Sequence, residues 1–340
     1  MTLTNPRNYI LLFFAMFFME CNSLENKDGK TISKHLAKYE LIKDWPQLPK
    51  TFPFSQVSAI GIDTNQNIFI LQRTGREWLD SLPDSLISSN TIFLLDKVTG
   101  KVLNSWGANL FIMPHGLTVD EWNNVWVTDV ALNEVFKFNH NGELLLRLGV
   151  TKVAGNDSTH FNQPTDVAIA HDGSFYISDG YGNSRIIKFS KDGKFLFAWG
   201  TKGIGHGQFD IPHSICLDAH GNVFVADREN NRIQQFDRNG NFIKEWKNYQ
   251  AQMLMSLSVG KADNVFATDY KYIKDSLPIG VDIIQLDSGL NLITRFGRSD
   301  LSGDTSALFH DIGVDKGGNI YVANIFGHKV QKFKPTSSRQ

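Results

Sequence analysis

The side chains whose types and spacing point to chemistry are His115, His213 and His310. Each opens or nearly opens a segment in which a short alternating strand, a polar turn and a second apolar strand follow one another. The segments read PHGLTVDEWNNVWVTD (114–129), PHSICLDAHGNVFVAD (212–227) and HDIGVDKGGNIYVAN (310–324). Three more copies of the pattern occur: SAIGIDTNQNIFILQ from Ser58, PTDVAIAHDGSFYISD over 164–179, and MSLSVGKADNVFATD from Met255. The equivalent first positions are Ser58, His115, Thr165, His213, Met255 and His310, so histidine occupies every second copy. Three imidazoles that leave one coordination position open are the donor set of a catalytic zinc ion. Such an ion polarises an oxygen ligand or lowers the pKa of a bound hydroxyl. A single histidine ahead of a strand is ordinarily a rim residue or a satisfied core group. Three in one phase argue for a shared site. The other seven histidines, including His140, His171 and His220, fall in turns or unmatched positions and read as surface. His206, in GIGHGQF, is expected near one channel mouth, with no role assigned.

The repeat must position these histidines. Its period-2 alternation predicts β-strands, and the DG, GN and NN pairs predict tight turns. NEVFKF, NSRIIKF and NRIQQF supply a third strand, and NGELLLRLG, DGKFLFAWG and NGNFIKEW supply a turn and a fourth. Four short antiparallel strands recurring roughly every 40–50 residues describe propeller blades. The second strand ends 14 residues after the first position in all six copies, at Gln72, Asp129, Asp179, Asp227, Asp269 and Asn324. The predicted fold is therefore an all-β, six-bladed propeller over residues 36–336. Its innermost strands line a central channel, and alternate blades are related by a third of a turn. The last copy runs out near Phe333, one strand short, and YELIKDW (39–45) is expected to supply that strand and close the ring. DRENNRI (227–233) and DGYGNSRI (179–186) resemble the D-x-x-N-x-R-[IV] signature of NHL-type propellers.

Composition narrows the function classes. The hydrophobic fraction of 41% and charged fraction of 20% are those of a globular protein. A net charge of −1 excludes the basic footprint of a nucleic-acid binder. The two cysteines, Cys21 and Cys216, cannot build a disulfide framework. An apolar run from Tyr9 to Met19 behind Arg7 suits a signal peptide over 1–21 better than a membrane span. Cys21 is placed like a lipoprotein cysteine and would anchor the chain to a membrane. Phe18, Met19 and Glu20 suit that cleavage poorly, so an ordinary cleaved signal and an uncleaved anchor stay open. Residues 22–35 read as a tether, and the expected location is exported: secreted, periplasmic or lipid-anchored. Ser-His-Asp spacing, a phosphate-cradling glycine loop and a dinucleotide fingerprint are all missing from the sequence.

From Gln56 to Trp246 the chain resembles the peptidyl-α-hydroxyglycine α-amidating lyases. The motifs are QVSAIGID, LFIMPHGLTVD, VWVTDVAL, HFNQPTDVAIA, ISDGYGNSRI, GQFDIPHS and VADRENNRIQ; the likeness thins after Lys247 and returns at LFHDIGV (308–314). The resemblance implies that His115, His213 and His310 bind zinc. It implies that Tyr181 is the base or proton acceptor, that Arg73 holds the substrate's carboxylate, and that Arg228 lines the pocket. It further implies a structural calcium ion on Asp311 and the backbone carbonyls of Ile60 and Leu117. The reaction implied is cleavage of the N–Cα bond of a peptide ending in α-hydroxyglycine, giving a peptide amide and glyoxylate. A tyrosine has an unperturbed pKa of about 10, so a base at neutral pH needs a cation beside it. A separate hydroxylating monooxygenase would supply the substrate. Gly182 and Gln235 stand where the animal enzymes have cysteines, and 265–300 matches poorly.

Two other functions fit a propeller. One is a non-catalytic exported module that binds a protein, peptide or glycan. The other is hydrolysis of a small ester or lactone. Calcium-dependent lactonase propellers use acidic channel residues, whereas histidine is expected to dominate this channel.

Overall fold

The computed structural model describes residues 38–78, 81–249, 253–272, 278–297 and 307–336. The expected signal peptide (1–21), the expected tether (22–35) and Cys21 lie outside the described residues. Six antiparallel sheets form the six predicted blades; each has four strands from the axis outward, consecutive in sequence in blades 1 to 4, with an extra short strand in the fifth and an outer strand from the start of the propeller in the sixth. The inner strands are Val57–Ile62, Pro114–Val119, Pro164–Ile169, Pro212–Leu217, Met253–Val259 and Phe309–Val314, here numbered blades 1 to 6. Blade 6 takes its outer strand from Lys38–Leu41, with Leu41 opposite Phe333 and Lys38 opposite Thr336. The ring thus closes through the strand expected from YELIKDW.

Burial follows the alternation in the sequence. Second strands such as IFILQ, VWVTD and FYISD are buried along their whole length, because neighbouring blades cover both faces. Outer strands such as VLNSW stay largely exposed. The hydrophobic core is divided among six inter-blade interfaces. Phe69, Leu71 and Ile92 of blade 1 pack on Val125, Val127 and Phe136 of blade 2, and Tyr321 and Ala323 of blade 6 pack on Ile68 and Ile70 of blade 1. The divergent 265–300 region still builds an ordinary blade from Val265–Tyr272, Asp282–Leu286 and Leu292–Gly297. It adds one short strand, Pro278–Gly280, paired with the end of Val265–Tyr272.

Every inner strand carries a bulge at the first position of the repeat. The pairing skips from Val57 to Ala59, Pro114 to Leu117, Pro164 to Asp166, Pro212 to Ser214, Leu254 to Ser256 and Phe309 to Asp311. A bulge bends its strand and re-aims a side chain. The three histidines are all bulge residues.

Candidate metal centre

The three imidazoles form a nearly equilateral triangle, with ring centroids 4.7, 4.8 and 4.9 Å apart. Their donor atoms all lie within 4.8 Å of one another, and the residues are buried. Each Nδ1 donates to the bulge carbonyl of the next blade: His115 to Thr165 at 2.8 Å, His213 to Met255 at 2.7 Å and His310 to Ser58 at 2.7 Å. A carbonyl only accepts, so these bonds fix the proton on Nδ1 and leave each Nε2 lone pair directed at the axis. Gly116 permits the first of these contacts, since a Cβ there would collide with the Thr165 carbonyl. Burial, followed by the neighbouring imidazoles and arginines, holds His115 and His213 well below the usual histidine range. Burial and Arg73 draw His310 down to about 3. All three are therefore neutral at physiological pH, as metal ligands must be.

Tyr181 enters from the loop after the second strand of blade 3. Its Oη lies 3.0 Å from Nε2 of His115 and 3.0 Å from Nε2 of His213. One phenolic proton cannot satisfy two acceptors, and a cation between these atoms resolves the mismatch. The donor set, its tautomers and this shared oxygen fit a metal ion with an open position. Gly180 lets the loop pass the Pro212 carbonyl, which a Cβ would overlap.

Arg73 and Arg228 each follow the terminal residue of a second strand, on blades 1 and 4, half a turn apart. Arg228 donates to Tyr181 Oη at 3.3 Å, lies over the phenol ring at 5.2 Å and pairs with Glu229 at 2.8 Å. Arg73 is 1% exposed and donates from Nε to the Pro114 carbonyl and from Nη1 to Gln56 Oε1. Its Nη2 is buried without a partner. Burial lowers its pKa to about 10, against the opposing pull of Tyr181 and Asp129, so it remains cationic at neutral pH. An uncompensated buried guanidinium is costly and calls for an anion.

Sequence reasoning missed Trp78 and Asp166. Trp78, 38% exposed, lies tilted against Tyr181 with ring centroids 5.0 Å apart and packs on the Arg73 guanidinium at 5.1 Å, forming the outer wall of the site. Ser58, on the ring as expected, has a buried Oγ without a partner. One residue below the ring lie Asp166 and Asp311, both buried around the same small cavity as the histidines and Ser58. Burial raises the pKa of both, and Asp166 raises that of Asp311 further. The channel is therefore not dominated by histidine alone, because the next layer down is acidic. Asp311 accepts from the Ile60 N–H at 2.7 Å, and it shares a lower cavity of about 300 Å³ with Leu117. His206 is exposed and stacks on Phe242 at 3.9 Å, on the outer strand of blade 4 and away from the histidines.

The NHL-repeat family model matches residues 161–189 and 209–236. The chain is 36% identical over 315 residues to peptidyl-glycine alpha-amidating monooxygenase B of Xenopus laevis, covering 87% of this chain and 35% of that protein. It is 32% identical over 331 residues to peptidyl-alpha-hydroxyglycine alpha-amidating lyase 1 of Drosophila melanogaster, covering 85% of this chain and 58% of that protein. NHL repeat-containing protein 3 of Mus musculus is 29% identical over 98% of both chains. The chain thus spans about a third to under two thirds of the amidating relatives it matches. Among solved structures, virginiamycin B lyase from Staphylococcus aureus superposes with a TM-score of 0.57 at 17% identity, over 87% of this chain and 85% of that one. That similarity is one of fold.

Fold and site together define an NHL-repeat β-propeller with three histidines converging on its axis. Within that class, the chain is a homologue of the peptidyl-α-hydroxyglycine α-amidating lyases.

Proposed function

We propose that the protein is a metal-dependent carbon–nitrogen lyase that converts a peptide ending in α-hydroxyglycine into a peptide amide and glyoxylate. The observation that carries this proposal is the placement of Tyr181 Oη against two histidine Nε2 atoms, beside a buried Arg73 with one unpaired nitrogen. A zinc ion on His115, His213 and His310 would supply Lewis acidity to a substrate oxygen. Arg73 Nη2 binds the substrate's carboxylate, which fixes the α-carbon over the histidine ring. Tyr181 accepts the proton of the α-hydroxyl as the N–Cα bond breaks. The same proton then passes to the departing nitrogen, so the net change is hydroxyl hydrogen to amide nitrogen. Arg228 stabilises the negative charge that Tyr181 Oη carries before it accepts this proton and again after it passes the proton on. Trp78 excludes water from the Arg73–carboxylate pair. Calcium is proposed on Asp311 with the carbonyls of Ile60 and Leu117 as a structural ion. The substrate requires prior hydroxylation of a peptidylglycine, so a monooxygenase must act before this protein.

The test is release of glyoxylate by the metal-replete protein from a peptide ending in α-hydroxyglycine. Release well above the spontaneous rate, abolished in His213→Ala, is expected. A rate equal to the spontaneous one would remove this substrate class.

A further inference from the structure

The layer below the histidine ring has its own organisation. Its positions, in blade order, are Ala59, Gly116, Asp166, Ser214, Ser256 and Asp311. The two acids stand on blades 3 and 6, half a turn apart across the axis. Ser214 Oγ donates to Asp166 Oδ2 at 2.9 Å, Ser256 Oγ donates to Asp311 Oδ1, and the two serine oxygens are 3.3 Å apart. Each serine thus spends its one hydroxyl proton on its own carboxylate, and the two hydrogen-bonded pairs meet side by side across blades 4 and 5. The acids are further held by backbone N–H groups, Val167 and Ile215 on Asp166 and Ile60 and Ile312 on Asp311, and by the Thr118 side chain on Asp166. Among the described residues, no lysine, arginine or histidine forms an ion pair with either acid. Blades 1 and 2 offer only Ala59 and Gly116 at this level, leaving that side open. Just above it, Ser58 Oγ is buried, unpartnered and faces the same cavity.

Two buried carboxylates without a counter-charge, and a buried hydroxyl without a partner, mark a place built for a guest. Hard cations take carboxylate, carbonyl and hydroxyl or water oxygen, which is the chemistry gathered here. From this geometry we infer that Asp166 is a second acidic ligand of the channel calcium ion. It binds from the wall opposite Asp311, and the ion exchanges through the lower mouth rather than past the substrate. That mouth is the cavity of about 300 Å³ on the far side from the histidines, bordered by Thr118, Cys216 and Ser258. The histidine ring separates it from Arg73 and Tyr181. The inference rests on the calcium proposed above but not on the lyase reaction.

Calcium affinity of the full chain, stripped of metal and reloaded with zinc, is the direct measurement. Asp166→Asn keeps the side chain's shape and should weaken calcium binding by at least about tenfold, with zinc content unchanged. Ser258→Trp, at the lower mouth, should slow calcium loss to a chelator without slowing zinc loss. Anomalous diffraction from the calcium-loaded wild-type protein serves if Asp166→Asn does not fold; it should place the ion about 2.3–2.6 Å from an Asp166 oxygen. Calcium bound by the wild type with unchanged affinity in Asp166→Asn, or an ion on Asp311 alone, overturns the inference and spares the calcium site. A wild-type protein that binds no calcium defeats both, and glyoxylate release is then judged separately.

Discussion

At the residue scale, the site is a set of uncompensated groups. His115, His213 and His310 are neutral because burial removes the water that would stabilise their charge. In the metal-free protein their folded pKa values lie below the unfolded value, with His310 at about 3. Between about 6.5 and 3 the unfolded chain then binds more protons than the folded one, so stability falls as pH falls through that window. Chelator-treated protein should show a melting temperature that drops steadily below about pH 6.5. A variant with all three histidines changed to glutamine should show a shallower drop; equal slopes would contradict the assignment. Arg73 is the second such group. Arg73→Gln should leave the melting temperature nearly unchanged yet lower kcat/KM by about 100-fold, the loss of one charge-assisted carboxylate contact. A fall in stability without that kinetic loss would make Arg73 a structural residue.

At the element scale, the repeat signature has a mechanical explanation. The carboxylate of Asp227 accepts from Asp210 N, Asn230 Nδ2, Arg232 Nε and Gln234 Nε2. Arg232 also ties down the carbonyls of Ile204, Gly205 and Gln208. Asp179, Asn183 and Arg185 repeat the arrangement in blade 3, with Arg185 reaching the His160 carbonyl. These residues hold the loops that enter the inner strands of blades 3 and 4, and so fix where those bulges deliver Thr165 and His213. Asp227→Ala should destabilise the fold by about 2–3 kcal/mol, because it takes one of two carboxylates from buried Arg232, Glu245 remaining, and leaves the Asp210 N–H without its acceptor. Asp237→Ala, in an exposed turn of the same blade, should cost far less, and chemical denaturation of the two variants separates them. The D-x-x-N-x-R run was legible in the sequence as a family signature. Its role as a clamp required the hydrogen bonds.

At the scale of the whole molecule, closure is what makes three distant histidines one site. His310 Nδ1 bonds the Ser58 carbonyl, a contact across 252 positions of sequence that exists only if blade 6 meets blade 1. The Lys38–Leu41 strand secures that meeting by covering the outer edge of blade 6. A chain truncated before Ile42 should melt roughly 5–10 °C lower and self-associate through the exposed strand Lys329–Thr336. Thermal denaturation with size-exclusion chromatography tests this; an unchanged, monomeric protein would show that closure needs no such strand.

The sequence by itself determined the number of blades and their closure, because alternation and turn chemistry are local and recur with one internal spacing. It also determined which blades carry histidine, since equivalent positions of a ring need no coordinates to be superposed. Only the tertiary structure decided the rest. Asp166 has no mark in the sequence beyond a polar side chain at a strand start, and only the fold sets it across the axis from Asp311. Trp78, in a loop of no regular pattern, became part of the site by lying against Arg73 and Tyr181. The locked Nδ1 protons and the empty hydrogen-bond positions of Arg73 and Ser58 depend on which atoms lie within about 3 Å after the ring closes. Period and composition describe what each residue is; they do not say which groups, once buried together, are left without a partner.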